Sequence, residues 1–128
     1  MRRILIPTDF SENATNAINY AVELFKYEIS VIYFMHAYQD DIYINEALLT
    51  RETLEGVTKI ISGQSKKQLE ETLKKVRAKH PNPRFSYRII SSNNVLVDEA
   101  DKIVDEENID IIVMGTQGKT NDKKLTFG

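Results

Sequence analysis

Short apolar runs alternate along this chain with longer segments in which apolar residues recur every three or four positions. Residues 3–7 read as a buried strand that stops on Pro7. Ser11 then stands where it can cap a helix over 12–26, with Glu12 near the positive end and Ala14, Ala17, Ile18, Ala21 and Phe25 on one apolar face. The β-branched and aromatic run 29–37 predicts a second strand. Between Tyr38 and Gly63 neither period holds: Asp40, Asp41 and Asn45 suit a loop, and 46–61 has room for a helical turn or two. Helical spacing returns over 64–79, with Leu69, Leu73 and Val76 on one side. Glu70 with Lys74 and Glu71 with Lys75 offer supporting pairs on the other, and Pro81 and Pro83 end the helix. A strand over 85–90, a polar turn over 91–94, a helix over 95–107 through Leu96, Ala100, Ile103 and Val104, and a strand over 109–114 complete the pattern.

Strands alternating with helices predict an α/β three-layer sandwich, an open parallel sheet with helices on both faces and right-handed crossovers. Ligands of such sheets bind beyond the carboxyl ends of the strands, where the strand order reverses. Two junctions of this chain lie at such ends. One is Pro7-Thr8-Asp9 after the first strand, and the other is Gly115-Thr-Gln-Gly118 after the fourth. If those strands are neighbours, the two loops face each other across a crevice. Glycine amides can approach a phosphate closely, because no Cβ intervenes and positive φ costs little. Asp9 is an acceptor for a base or hydroxyl donor. The plainer alternative, that Asp9 helps to cap the helix at Ser11 and that the glycines only make a turn, accounts for the same residues.

Composition narrows the partners. Charged residues make up 28% of 128, and the net charge of −2 supplies no field for a nucleic acid or an anionic membrane. With no cysteine, disulfides, thiolate metal sites and cysteine nucleophiles are excluded. The basic start Met1-Arg2-Arg3 runs into Pro7 and Asp9 too soon for the roughly 7–15 apolar residues of a signal peptide. Nor does any run reach the roughly 18 of a membrane span, so a cytoplasmic domain is expected. His36, at a strand end, lacks a neighbouring carboxylate at ligand spacing and is read as a hydrogen-bonded structural residue. His80 is read as a helix terminus, and Asp40 with Asp41 as a solvated loop.

The familiar phosphate motifs do not fit. Gly118-Lys119-Thr120 matches the end of a P-loop, but the first glycine of that motif falls on Val113. The dinucleotide fingerprint fails too, since no glycines follow the first strand. Instead the chain resembles the universal stress protein family, in the subgroup associated with ATP binding. Residues 4–11, Ile-Leu-Ile-Pro-Thr-Asp-Phe-Ser, are similar to that family's first strand and loop, and 31–37 to its second strand. Residues 109–118 are similar to its fourth strand, and Gly115, Gly118 and Gly128 match its G-x2-G-x9-G spacing.

The resemblance implies an adenine nucleotide alpha-hydrolase-like fold and carries over site residues. Asp9, flanked by Pro7 and Thr8, would contact adenine or ribose, and Ala37 would line the adenine pocket. Met114 and Gly115 would lie near the ribose and α-phosphate, Gln117 and Gly118 near the phosphates. Gly128 would open a phosphate-binding helix, whose free amides favour an anion. It further implies ATP, with Mg²⁺ or Mn²⁺ on the phosphates, and a sensor or switch with at most slow hydrolysis. A homodimer or tandem-domain partner is also implied, and no nucleic acid or membrane. A nucleotide-cleaving enzyme of related fold would need a Ser-Gly-Gly-x-Asp-Ser loop after the first strand, which Thr8-Asp9-Phe10-Ser11 does not supply. Two departures stand out. Ser92-Asn93-Asn94 replaces a common Gly-x-Pro, and the family motif continues past its third glycine with Ser or Thr, a helix and a fifth strand. Residues 1–128 are therefore expected to be a single domain cut before its last helix and strand, the first part of a longer tandem protein. The edge beside the fourth strand is expected either to recruit another chain or to be covered by the 115–128 loop folding back.

Overall fold

A computed structural model describes residues 1–43, 50–115 and 125–127. The elements run β1 (Arg2–Pro7), α1 (Glu12–Leu24), β2 (Ser30–Ala37), α2 (Gln39–Tyr43), α3 (Arg51–Lys79), β3 (Phe85–Ser92), α4 (Leu96–Glu107), β4 (Ile111–Gly115) and β5 (Leu125–Phe127). They form a five-stranded sheet in the order β3-β2-β1-β4-β5. β1 pairs in parallel with both β2 and β4, and β2 in parallel with β3, giving the open parallel α/β sheet that the alternation predicts.

Strand periodicity decides which helix meets which face. Ile4 and Ile6 of β1 and Ile32 and Phe34 of β2 project to one side, into a core with Ala17, Ile18 and Ala21 of α1 and Leu69 and Val76 of α3. The intervening Leu5, Val31, Tyr33 and Met35 project to the other side, against Ile103 of α4. A residue with apolar neighbours on both flanks of the strand is what makes β1 and β2 read as unbroken apolar runs.

Four features differ from the sequence reading. α3 is a single helix of 29 residues, beginning at Arg51 behind a Thr50 cap rather than at 64. Two glycines in its first half, Gly56 and Gly63, weaken the helical signal without ending the helix, and nothing lies where their Cβ atoms would project, so packing does not require glycine at either. Asp40 and Asp41 belong to α2 rather than to a loop. β3 runs on through Ser91 and Ser92, which pair with His36 and Ala37. The expected pairs Glu70–Lys74 and Glu71–Lys75 are absent from the ion pairs of the described residues, which are Arg2–Glu28, Lys26–Glu23, His36–Asp41 and Arg51–Glu55.

The outer edge of β4 is taken by β5, which runs antiparallel to it with Val113 opposite Phe127 and Gly115 opposite Leu125. Of the two expectations for that edge, this is the fold-back. No helix among the described residues is long and apolar enough to cross a membrane.

Candidate functional site at the carboxyl ends of β1, β2 and β4

The chain steps from β1 to β2 to β3 in one direction across the sheet, and then returns to place β4 on the far side of β1. The reversal therefore falls between β1 and β4, where open α/β sheets bind ligands. The ladder between them consists of Ile4–Ile111 and Leu5–Ile112, although β1 runs on to Pro7 and β4 to Gly115. The β1–β4 ladder goes no further than Leu5 and Ile112; beyond them β1 stays paired with β2 through Ile6 and Pro7, and β4 with β5 from Val113 to Gly115.

The loop after β1 is held by its own hydrogen bonds. The Thr8 amide donates to the Met35 carbonyl at 2.8 Å, fixing the loop to β2. Thr8 Oγ1 accepts from the Phe10 amide at 3.0 Å, and Asp9 Oδ1 from the Ser11 amide at 3.0 Å. Ser11 Oγ accepts from the Ala14 amide at 3.2 Å and caps α1 as its sequence position predicts. Phe10 sits at φ 67, in the left-handed region that a residue with a Cβ seldom takes. Asp9 is exposed, and its Oδ2 has no hydrogen-bond donor among the described residues. Both roles considered for Asp9 are thus open to it at once: one oxygen fixes the loop and the other faces outward.

Opposite this loop, Met114 and Gly115 end β4. Gly115 lies directly against the first turn of α1: a Cβ there would stand 2.7 Å from the Asn13 carbonyl carbon and 3.2 Å from the Ala14 nitrogen. Close helix–strand approach is therefore one physical reason for glycine at this position. Ala37 is the half-buried last residue of β2. Pro7, Thr8, Asp9, Ala37, Met114 and Gly115 thus all sit at the carboxyl end of the sheet, whereas Gln117, Gly118 and Gly128 lie outside the described residues.

One cluster beside these residues escaped the sequence reading. His36 is buried, and its Nδ1 is 2.8 Å from Ser65 Oγ of α3, which is in turn 2.7 Å from Ser91 Oγ of β3. Its Nε2 stands 3.6 Å from Asp41 Oδ2, so a carboxylate does approach it, contrary to the expectation from spacing. The edge of its ring meets Phe10, centroid to centroid 4.6 Å. Burial lowers the His36 pKa below its ordinary value, and the negative charges of Asp41 and then Asp9 oppose that shift. The hydrogen-bonded structural role holds. The missed signal is a strand-end histidine five positions before an aspartate on a short helix. His80, read as a helix terminus, is the C-cap of α3, and its Nε2 is 3.3 Å from Asn19 Oδ1.

Comparison with known proteins bears on this arrangement. The universal stress protein family model matches residues 1–128. The universal stress protein MJ0577 of Methanocaldococcus jannaschii is 27% identical over 137 residues, covering 99% of this chain and 83% of that protein. MJ0531 of the same organism is 25% identical over 127 residues, covering 99% of this chain and 71% of that protein. The solved structure of MJ0577 superposes with a TM-score of 0.70 at 25% identity, over 94% of this chain and 78% of that one.

Proposed function

The chain belongs to the universal stress protein family, and from that premise we propose that it binds an adenine nucleotide, ATP foremost, as a cytoplasmic stress-response sensor or switch. The observation that carries this reading is the end of the β1–β4 ladder at the point of strand reversal, with exposed Asp9 beside it, whose Oδ2 has no donor among the described residues. In this reading Asp9 accepts from the adenine or ribose, Pro7 and Thr8 hold its loop, and Ala37 lines the base. Met114 and Gly115 border the ribose and α-phosphate, while Gln117, Gly118 and Gly128 serve the phosphates. A divalent ion, Mg²⁺ or Mn²⁺, rides on those phosphates and offsets their charge. Among the described residues no group of three or more His, Asp or Glu comes together to hold a metal. The output is a change in affinity for a second copy or a tandem domain, and hydrolysis is at most slow.

A second reading, a scaffold or dimerisation module that takes no nucleotide, has an observation of its own. Packing against Asn13 already explains Gly115, and the bond to the Ser11 amide already explains Asp9. One experiment separates the two: mass spectrometry of small molecules released from the purified protein, followed by ATP titration of wild type, Asp9→Ala and Gly118→Val. The nucleotide reading requires a released adenine nucleotide or a saturable titration that Gly118→Val abolishes. Identical titrations for all three proteins would refute it.

A further inference from the structure

The two helices on one face of the sheet leave a slot between them. Its walls come from residues three and four apart on each helix, Thr15, Ile18 and Asn19 from α1 and Glu71, Thr72, Lys75, Val76 and Lys79 from α3. Positions with this spacing form one stripe of a helix and ordinarily zip into a neighbour's grooves. Here both stripes are mostly polar and stand apart, leaving a cavity of about 360 Å³ that reaches to Thr8 and Phe10. That volume lies in the range of about 300–1,000 Å³ in which small-molecule sites fall.

The lining sorts itself into a floor, two walls and a charged end. Ile18 and Val76 are core residues at the base of the slot, and Phe10 packs onto the same core. Thr15 Oγ1 donates to the Ser11 carbonyl at 3.1 Å and Thr72 Oγ1 to the Gln68 carbonyl at 2.8 Å, so both hydroxyls are engaged within their own helices. His80 and Asn19, 3.3 Å apart, bridge the helices beyond Val76. Lys75 and Lys79, one turn apart on α3, take part in none of the ion pairs formed among the described residues. Glu71 lies one turn further on, toward Gln68, so a negative ligand group meets two cations at the Lys79 end before it meets an anion.

We propose that this slot binds a small amphipathic carboxylate, its anionic group between Lys75 and Lys79 and its apolar body along Val76, Ile18 and Phe10. A cationic ligand would face two lysines for one glutamate, and a wholly apolar one would bring nothing to meet the two lysines. The slot lies on the α1–α3 face and includes neither Gly115 nor Ala37; with the proposed nucleotide site it shares only the loop of Thr8 and Phe10.

The probe is 3-(4-fluorophenyl)propionate, followed by fluorine NMR and by amide shifts of the full ¹⁵N-labelled chain. Saturable shifts centred on Thr15, Asn19, Thr72 and Val76 are expected. The uncharged primary amide of the probe should bind about two- to fivefold more weakly, as should the probe to a K75Q/K79Q variant, the scale of a lost exposed ion pair. Both lysines are exposed, so that variant keeps the fold, and an unchanged amide spectrum verifies it. Shifts centred elsewhere, none up to about 10 mM probe where even millimolar affinity would register, or equal binding of acid and amide would each overturn the proposal.

Discussion

Gly115 packs against the main chain of Asn13 with no room for a side chain between them. The end of β4 is therefore fixed to the first turn of α1 by backbone contact. Gly115→Ala should destabilise the fold by about 1–3 kcal/mol, the usual cost of overpacking. Thermal or denaturant unfolding without ligand reads this directly. An unchanged midpoint would show that the contact is loose.

Asp9 carries two separable roles. Asp9→Asn keeps an oxygen acceptor for the Ser11 amide and removes the charge, so its stability should match wild type within about 0.5 kcal/mol. Asp9→Ala loses that acceptor, but at an exposed site where water replaces it, so the stability cost should stay below about 1 kcal/mol. Its effect on ATP affinity should be larger, about 1–3 kcal/mol, if a buried hydrogen bond to the ligand is lost. Comparable small effects on both would favour the scaffold reading.

Phe10 inverts a common substitution rule. At φ 67 a residue with a Cβ is strained, so glycine should be better tolerated there than alanine, by about 1 kcal/mol. Both variants lose the ring that packs on His36 and should be less stable than wild type. Paired urea melts of Phe10→Gly and Phe10→Ala decide it. Alanine equal to or better than glycine would mean that the loop relaxes out of its left-handed turn.

His36 gives the fold a pH dependence of known sign. Its pKa is lowered in the folded protein, chiefly by burial, so between that value and the ordinary 6.5 the unfolded chain binds more protons. Stability is therefore full above about pH 6.5 and declines as pH falls toward the folded pKa. His36→Gln should flatten the stability profile over that interval, even if it lowers stability at pH 7. A wild-type profile already flat there would show that Asp41 and Asp9 cancel the burial effect.

Much of this architecture was legible in the sequence because burial on two faces writes itself as an unbroken apolar run. β1, with Ile4 and Ile6 on one face and Leu5 on the other, is the plainest case. The α1 cap was legible for a local reason, since Ser11 bonds an amide only three residues ahead. What stayed hidden depends on partners distant in sequence. Ser91 and Ser92 look like a turn, yet they extend β3 because β2 continues beside them through His36 and Ala37. His36 gained its neighbours only once α3 brought Ser65 and α2 brought Asp41 to it. The gap between α1 and α3 was invisible for the same reason, since each polar stripe taken alone reads as a solvated face.

The length of α3 has a consequence for how the molecule opens. Ser65 meets His36 near the carboxyl end of β2, so residues 51–64 project past the sheet, about 20 Å at 1.5 Å per residue. All buried residues described on this helix, Ser65, Leu69 and Val76, lie on the other side of that boundary. The projecting half also contains Gly56 and Gly63, each weakening a helix by about 1 kcal/mol relative to alanine. One continuous helix should thus open as two units. Its inner half should exchange amide protons only on global unfolding, while the outer half exchanges by local fraying, with the protection step falling close to Ser65.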